Sequence, residues 1–131
     1  MGRPEGKIVV CGLNPTPASM ACSGREDEGV IAPAVRTCQA QGIRVEGPVP
    51  ADTVFLKALR GHYDLVVAMY HDQSHSIKLI DFEKTVNVSL GLPIIRTSVD
   101  HGTAFDIAGK GVADAENMKA ALKLAVTMAS H

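Results

Sequence analysis

Lys7-Ile8-Val9-Val10-Cys11-Gly12 is the stretch on which the fold class turns. It is a short, unbroken apolar run closed by a glycine, the pattern of a strand buried on both faces of a parallel sheet. A second such run follows, Asp64-Leu65-Val66-Val67-Ala68-Met69. The residues between them carry helical signals. From Glu26 to Ala40, apolar Val30, Ile31, Ala34, Val35 and Cys38 recur at helical spacing, and Gly42 is placed to stop that helix. Asp52 can cap a second helix running to about Arg60. Strands alternating with helices predict an α/β fold with a mainly parallel sheet flanked by helices.

The remaining segments fit this frame. Leu13 to Arg25 reads as a loop, with Asn14-Pro15-Thr16-Pro17 near its start and Ser23-Gly24 near its end. Ile43-Arg44-Val45-Glu46 alternates like a strand, and Gly47-Pro48-Val49-Pro50 reads as a stiff connector. Tyr70 to Ile80 is expected to be a short helix. Val86 to Leu90 alternates, and Pro93 to Val99 is a further strand candidate. Ala113 to Ala129 spaces Met118, Ala121, Leu122, Leu124, Ala125 and Met128 as a helix does.

At 131 residues the chain has the size of one domain, and residues 1–131 are expected to form a single α/β domain. It is 46% hydrophobic and 21% charged, which is globular, and its net charge of −1 points to neither nucleic acid nor a membrane surface. With two Tyr, three Phe and no Trp, the core has to be aliphatic. Cys11, Cys22 and Cys38 are an odd count without paired spacing, which argues against a disulfide framework, and no Cys-x-x-Cys knuckle is present. There is no apolar signal segment and no run of about 20 apolar residues. A soluble, cytoplasmic protein is the expectation.

In parallel α/β sheets ligands bind beyond the carboxyl ends of the strands. That rule selects Asn14, then His71 and Asp72, then Asp100 and His101. His71 and His75 stand four apart, a spacing that would suit Zn²⁺ on one helix face. The same spacing is common by chance, and the residues alone favour one surface histidine and one bonded to backbone. Asp100 could orient His101 or cap a helix with Thr103, and capping is the plainer role. Lys78, Asn87 and Arg96 are scattered donors that together could hold a phosphate. There is no G-x-G-x-x-G, no Walker A motif and no serine nucleophile elbow. Cys11, at a strand end, reads as packing. Cys22, in the loop, has nothing to activate it.

Four stretches resemble one family in order and spacing: 6–15 (GKIVVCGLNP), 47–53 (GPVPADT), 68–73 (AMYHDQ) and 86–104 (VNVSLGLPIIRTSVDHGTA). They resemble the 4-hydroxythreonine-4-phosphate dehydrogenases and their relatives acting on other phosphorylated hydroxy acids. The resemblance covers nearly the whole chain, but only the second half of the longer family chains. It implies a partial isocitrate-dehydrogenase-like fold, a homodimer or other self-association, and a small phosphorylated substrate. It further implies NAD and a divalent metal (Zn, Mg or Co), with oxidation of a hydroxyl followed by loss of CO₂. Carried over by residue, His71 is a metal ligand. Lys78 and Asp72 are catalytic. Lys78, Asn87 and Arg96 bind substrate, at spacings of nine and nine. Leu13, Asn14 and Pro15 begin the loop that helps hold the cofactor.

Three departures bear on activity. Thr16 stands where the family has a metal-binding His, and Pro17 to Cys22 replace a Gly-rich run. Ser74 replaces the Gly after His-Asp-Gln, with one residue fewer before Lys78. The residues matching the family's amino-terminal half are not in this sequence. An enzyme impaired by itself is therefore expected. Two other readings are a non-catalytic module binding a phosphorylated metabolite or a protein, and a different enzyme reusing His71, His75, His101 and Asp100.

Overall fold

In the computed structural model the described residues are 5–14, 24–74 and 84–130. The chain forms two compact units, residues 2–77 and 78–131.

The first unit is built on three parallel strands in the order β2-β1-β3, with β1 Ile8–Cys11, β2 Val45–Val49 and β3 Leu65–Val67. Ile8 pairs with Val45 on one side and Leu65 on the other. Alternate β1 residues therefore need cover on opposite faces. Helix α2 (Ala51–Leu59) covers one face: Val54 and Phe55 pack with Val9 and Cys11, and Val49, Tyr63 and Val66 close the rim. Helix α1 (Ala32–Ala40) covers the other: Ile31 and Val35 pack with Val45, against Ile8, Val10 and Met69. The central strand is thus sandwiched, as its unbroken apolar run requires.

The helix expected over 26–40 has two parts. Asp27–Ile31 is a wider π turn, closed by Ala32 N–H donating to Asp27 O, and α1 follows. Pro33 has no N–H to give to the residue four before it, so the turn ahead of it is free to widen. Gly42 ends the helix at φ +82, with Ile43 N–H returning to Cys38 O at 3.1 Å.

Several local expectations need correction. The connector Gly47-Pro48-Val49 belongs to β2, which starts at Val45 rather than Ile43. Pro48 is tolerated because β2 is an edge strand of this sheet. Gly47 is required there: at φ +143, an added Cβ would lie 2.6 Å from Val10 O. Asp52 does not cap α2; Pro50 holds the cap position with no side-chain bond, and Asp52 lies in the first turn. The run 64–69 yields only three strand residues, with Leu65 54% and Val67 39% exposed. Asp64 accepts the Lys7 N–H at 2.9 Å instead of joining the strand. Of the helix expected over 70–80, the described part is a 3-10 turn, His71–Ser74.

The second unit pairs β4 (Val86–Ser89) with β5 (Arg96–Val99) and packs helix α3 (Glu116–Ala129) on the pair. The pairing is antiparallel, with Val86 opposite Val99 and Ser89 opposite Arg96. The second strand begins at Arg96, not at Pro93. Thr97 Oγ1 donates to Ala121 O at 2.9 Å, tying β5 to the buried side of α3. Ala115 holds the cap position of α3, and Asp114 just before it accepts the Glu116 N–H at 2.8 Å. The expected cap by Asp100 or Thr103 is not seen. The 3-10 turn Phe105–Ile107 follows a left-handed Ala104 and has no side-chain cap. No helix among the described residues is long and apolar enough to cross a membrane.

Candidate functional site

The first unit gathers polar groups at the carboxyl ends of β1 and β3. Gly12 N–H continues the sheet by donating to Val49 O at 2.9 Å. Beyond it the chain turns, and the turn is held by side chains from elsewhere. Leu13 N–H donates to Asp27 Oδ1 at 2.7 Å and Asn14 N–H to Asp27 Oδ2 at 3.3 Å. Asn14 Nδ2 lies 3.4 Å from Glu26 Oε2. On the other side, Gln73 Nε2 donates to Gly12 O at 2.7 Å, while Gln73 Oε1 accepts the Met69 N–H at 2.7 Å. Gln73 is buried, and its one amide clasps the ends of β1 and β3 together.

That clasp sets where His71 and Asp72 stand. Both are exposed on the 3-10 turn, with His71 Nδ1 3.2 Å from Asp72 Oδ1. A carboxylate there favours the tautomer with the proton on Nδ1, which leaves the lone pair on Nε2. Ser74 Oγ donates to His71 O at 2.6 Å and helps close this turn.

In the second unit the register brings two predicted substrate residues onto one face. Asn87 and Ser89 are two apart on β4, and Ser98 and Arg96 stand opposite them on β5. All four share one face of the pair, and Val86, Val88, Thr97 and Val99 share the other. Asn87 and Arg96 are exposed diagonal neighbours, and Arg96 Nη1 donates to Ser89 Oγ at 3.0 Å. His101 Nδ1 lies 2.9 Å from Gly102 O. Pro15, Lys78 and His75 lie outside the described residues, as do Thr16, Pro17 and Cys22.

Reasoning from sequence missed Asp27 and the role of Gln73. Asp27 carries no local signal, since its partners are 13 and 14 residues away. Gln73 stood inside the singled-out Tyr-His-Asp-Gln motif, but nothing local said that its amide, rather than its neighbours' groups, would be buried.

The implied metal and cofactor can be tested against these groups. Among the described residues no three His, Cys, Asp or Glu side chains come together as a metal site. His71 and Asp72 alone do not build such a centre. Among the described residues of the turn, the Leu13 and Asn14 amides are not open to a dinucleotide's phosphates, since Asp27 already holds them.

Cys11 is fully buried, and burial pushes its thiol pKa upward. The thiolate is the reactive form. Alkylation of the folded chain near neutral pH should therefore mark half-buried Cys38 and spare Cys11 until denaturant is added, as peptide mapping would read. The stability contribution is full below the unfolded thiol's range. It declines as pH rises past roughly 8.5, where the unfolded chain releases the proton first.

Comparisons with known proteins give this arrangement a family. The model of the pyridoxal phosphate biosynthetic protein PdxA matches residues 1–125. The chain is 53% identical over 127 residues to a D-threonate 4-phosphate dehydrogenase from Cupriavidus necator, covering 95% of this chain and 38% of that protein. It is 53% identical over 124 residues to a 4-hydroxythreonine-4-phosphate dehydrogenase from Ruegeria sp., covering 94% and 38%. Among solved structures, a 4-hydroxythreonine-4-phosphate dehydrogenase from Klebsiella pneumoniae superposes with a TM-score of 0.82 at 48% identity, covering 99% of this chain and 40% of that one. The chain spans about two-fifths of the length of these relatives. With a family model matched over nearly its whole length and relatives at this identity, the chain belongs to the PdxA family.

Proposed function

We propose that this chain supplies part of an NAD-dependent dehydrogenase site for a phosphorylated hydroxy acid, and corresponds to the carboxyl-terminal part of the longer family chain. The substrates named for its relatives, D-threonate 4-phosphate and 4-hydroxythreonine 4-phosphate, define the class. The observation that carries the reading is the hairpin face bearing Asn87 and Arg96 together. A guanidinium grips phosphate through paired N–H donors, and an amide beside it adds a neutral donor. Oxidation of a hydroxyl would need a hydride acceptor, the chemistry bound NAD would supply, and a base to take the proton. Asp72 and Lys78 are the residues proposed to handle that proton. Leu13, Asn14 and Pro15 are proposed to border the cofactor. His71 is proposed as the one metal ligand this chain would offer.

The reading includes self-association in a cytoplasmic setting. Leu90 (82% exposed), Ile94 (65%) and Phe105 (84%) are large apolar groups open to water, the kind of surface that self-association would cover. Thr16 in place of the family's histidine favours a second reading, a binding module without turnover.

The test is NADH formation from both substrates by the purified chain, with sedimentation to establish its oligomeric state. Turnover that Arg96→Ala weakens through KM by about tenfold or more supports the reading. Substrate binding without turnover supports the module instead. Neither binding nor turnover by a folded chain overturns both, and a clean monomer at high concentration removes the self-association.

A further inference from the structure

In the described part of the turn after β1, Gly12 O and the Leu13 and Asn14 N–H groups are engaged before any ligand arrives. Leu13 and Asn14 N–H each bond one oxygen of the Asp27 carboxylate, at 2.7 and 3.3 Å. Gly12 O accepts from Gln73 at 2.7 Å. The approach of Asp27 depends on the bare glycine, because a Cβ on Gly12 would lie 2.9 Å from Asp27 Oδ2. Glu26 Oε2 stands at the Asn14 side chain, so a second carboxylate borders the turn.

Amide turns that bind phosphate work the other way, pointing open N–H groups at the anion. We propose that Asp27 is a specificity-determining residue. Its carboxylate is a built-in anion that keeps phosphate off the Leu13 and Asn14 amides, so the turn accepts an uncharged, hydrogen-bond-donating part of a ligand. A phosphate arriving there meets like charge and two N–H groups that are already bonded. A hydroxyl or carboxamide N–H meets a carboxylate that keeps further lone pairs after accepting two amide bonds. If the turn borders the dinucleotide, as the proposed function has it, the part that touches it is a ribose hydroxyl or the nicotinamide amide, and the diphosphate lies elsewhere. That last step rests on the cofactor reading; the occupied amides do not.

The experiment follows the Leu13 and Asn14 amide resonances of the ¹⁵N-labelled full chain during titration with inorganic pyrophosphate. Wild type should show no saturable shift at either amide. Asp27→Ala, which uncovers both, should show saturable shifts with about tenfold or greater gain in affinity. Asp27→Asn keeps an acceptor for Leu13 but loses the charge, so its gain should be smaller, and it decides the matter if the alanine variant fails to fold. Saturable shifts in wild type overturn the proposal, as does a folded variant no more responsive than wild type. A parallel NAD titration of wild type separates the two readings. If NAD does not perturb the turn while pyrophosphate behaves as expected, the cofactor reading falls and the role of Asp27 stands.

Discussion

Phe55→Ala should destabilise the first unit by about 3–5 kcal/mol, the range for truncating a buried aromatic. Phe55 is 4% exposed and lies in the cluster with Val9, Cys11 and Val54 that joins α2 to the central strand. Truncation removes the apolar burial and leaves a cavity that a sheet and a helix cannot both close around. Domains of this size hold only about 5–15 kcal/mol in total, so the loss is a large share. Leu56, the next residue, is 51% exposed and supplies the control. Leu56→Ala should stay within about 0.5 kcal/mol of wild type. Urea unfolding of both variants checks the pair. Equal midpoints for the two would mean that α2 does not cover the sheet through Phe55.

Gln73→Leu should cost about 2–6 kcal/mol, although leucine is similar in size. The side chain contributes one donor and one acceptor, to Gly12 O and from Met69 N–H. Leucine leaves both backbone groups without that partner, and each unsatisfied buried group costs about 1–3 kcal/mol. Gln73→Glu separates hydrogen bonding from packing. It can still accept from Met69, but it sets a carboxylate oxygen against the Gly12 carbonyl oxygen. The protonated carboxyl can donate there, so the folded state of this variant should favour protonation. Its deficit should therefore shrink as pH falls through the raised folded-state pKa toward the ordinary Glu value, near 4, and be smallest below it. Stability curves for the two variants between neutral and acidic pH read this directly. A Gln73→Glu deficit that does not change with pH would remove the Gly12 bond from the account. Faster hydrogen exchange at Met69 in Gln73→Leu would follow from the same loss.

Much of this was legible beforehand, for identifiable reasons. Ile8 to Cys11 had no polar alternation, and a strand without alternation needs cover on both faces. Two helices and a parallel pairing followed from that. Gly42 marked a helix end because only glycine enters the left-handed region there at little cost. Other errors had readable causes. The hairpin could have been seen, since the stretch between Ser89 and Arg96 is too short for a parallel crossover, which takes a dozen residues or more. The edge position of β2, which allows Pro48 inside a strand, could not, because strand order is not written in any local pattern.

For the candidate site, sequence by itself determined the chemical inventory. It supplied His71 and Asp72 after one strand, Asn14 after another, and Asn87 and Arg96 among later strand residues. Tertiary structure alone decided which of those groups are available and which are consumed. Asp27 reaches Leu13 and Asn14 from 14 and 13 positions along the chain, and Gln73 reaches Gly12 from 61. Hydrogen-bond partners so distant leave no periodicity to read. They exist because buried or crowded backbone groups must be satisfied once the strands are in place, and the nearest side chain of the right chemistry satisfies them.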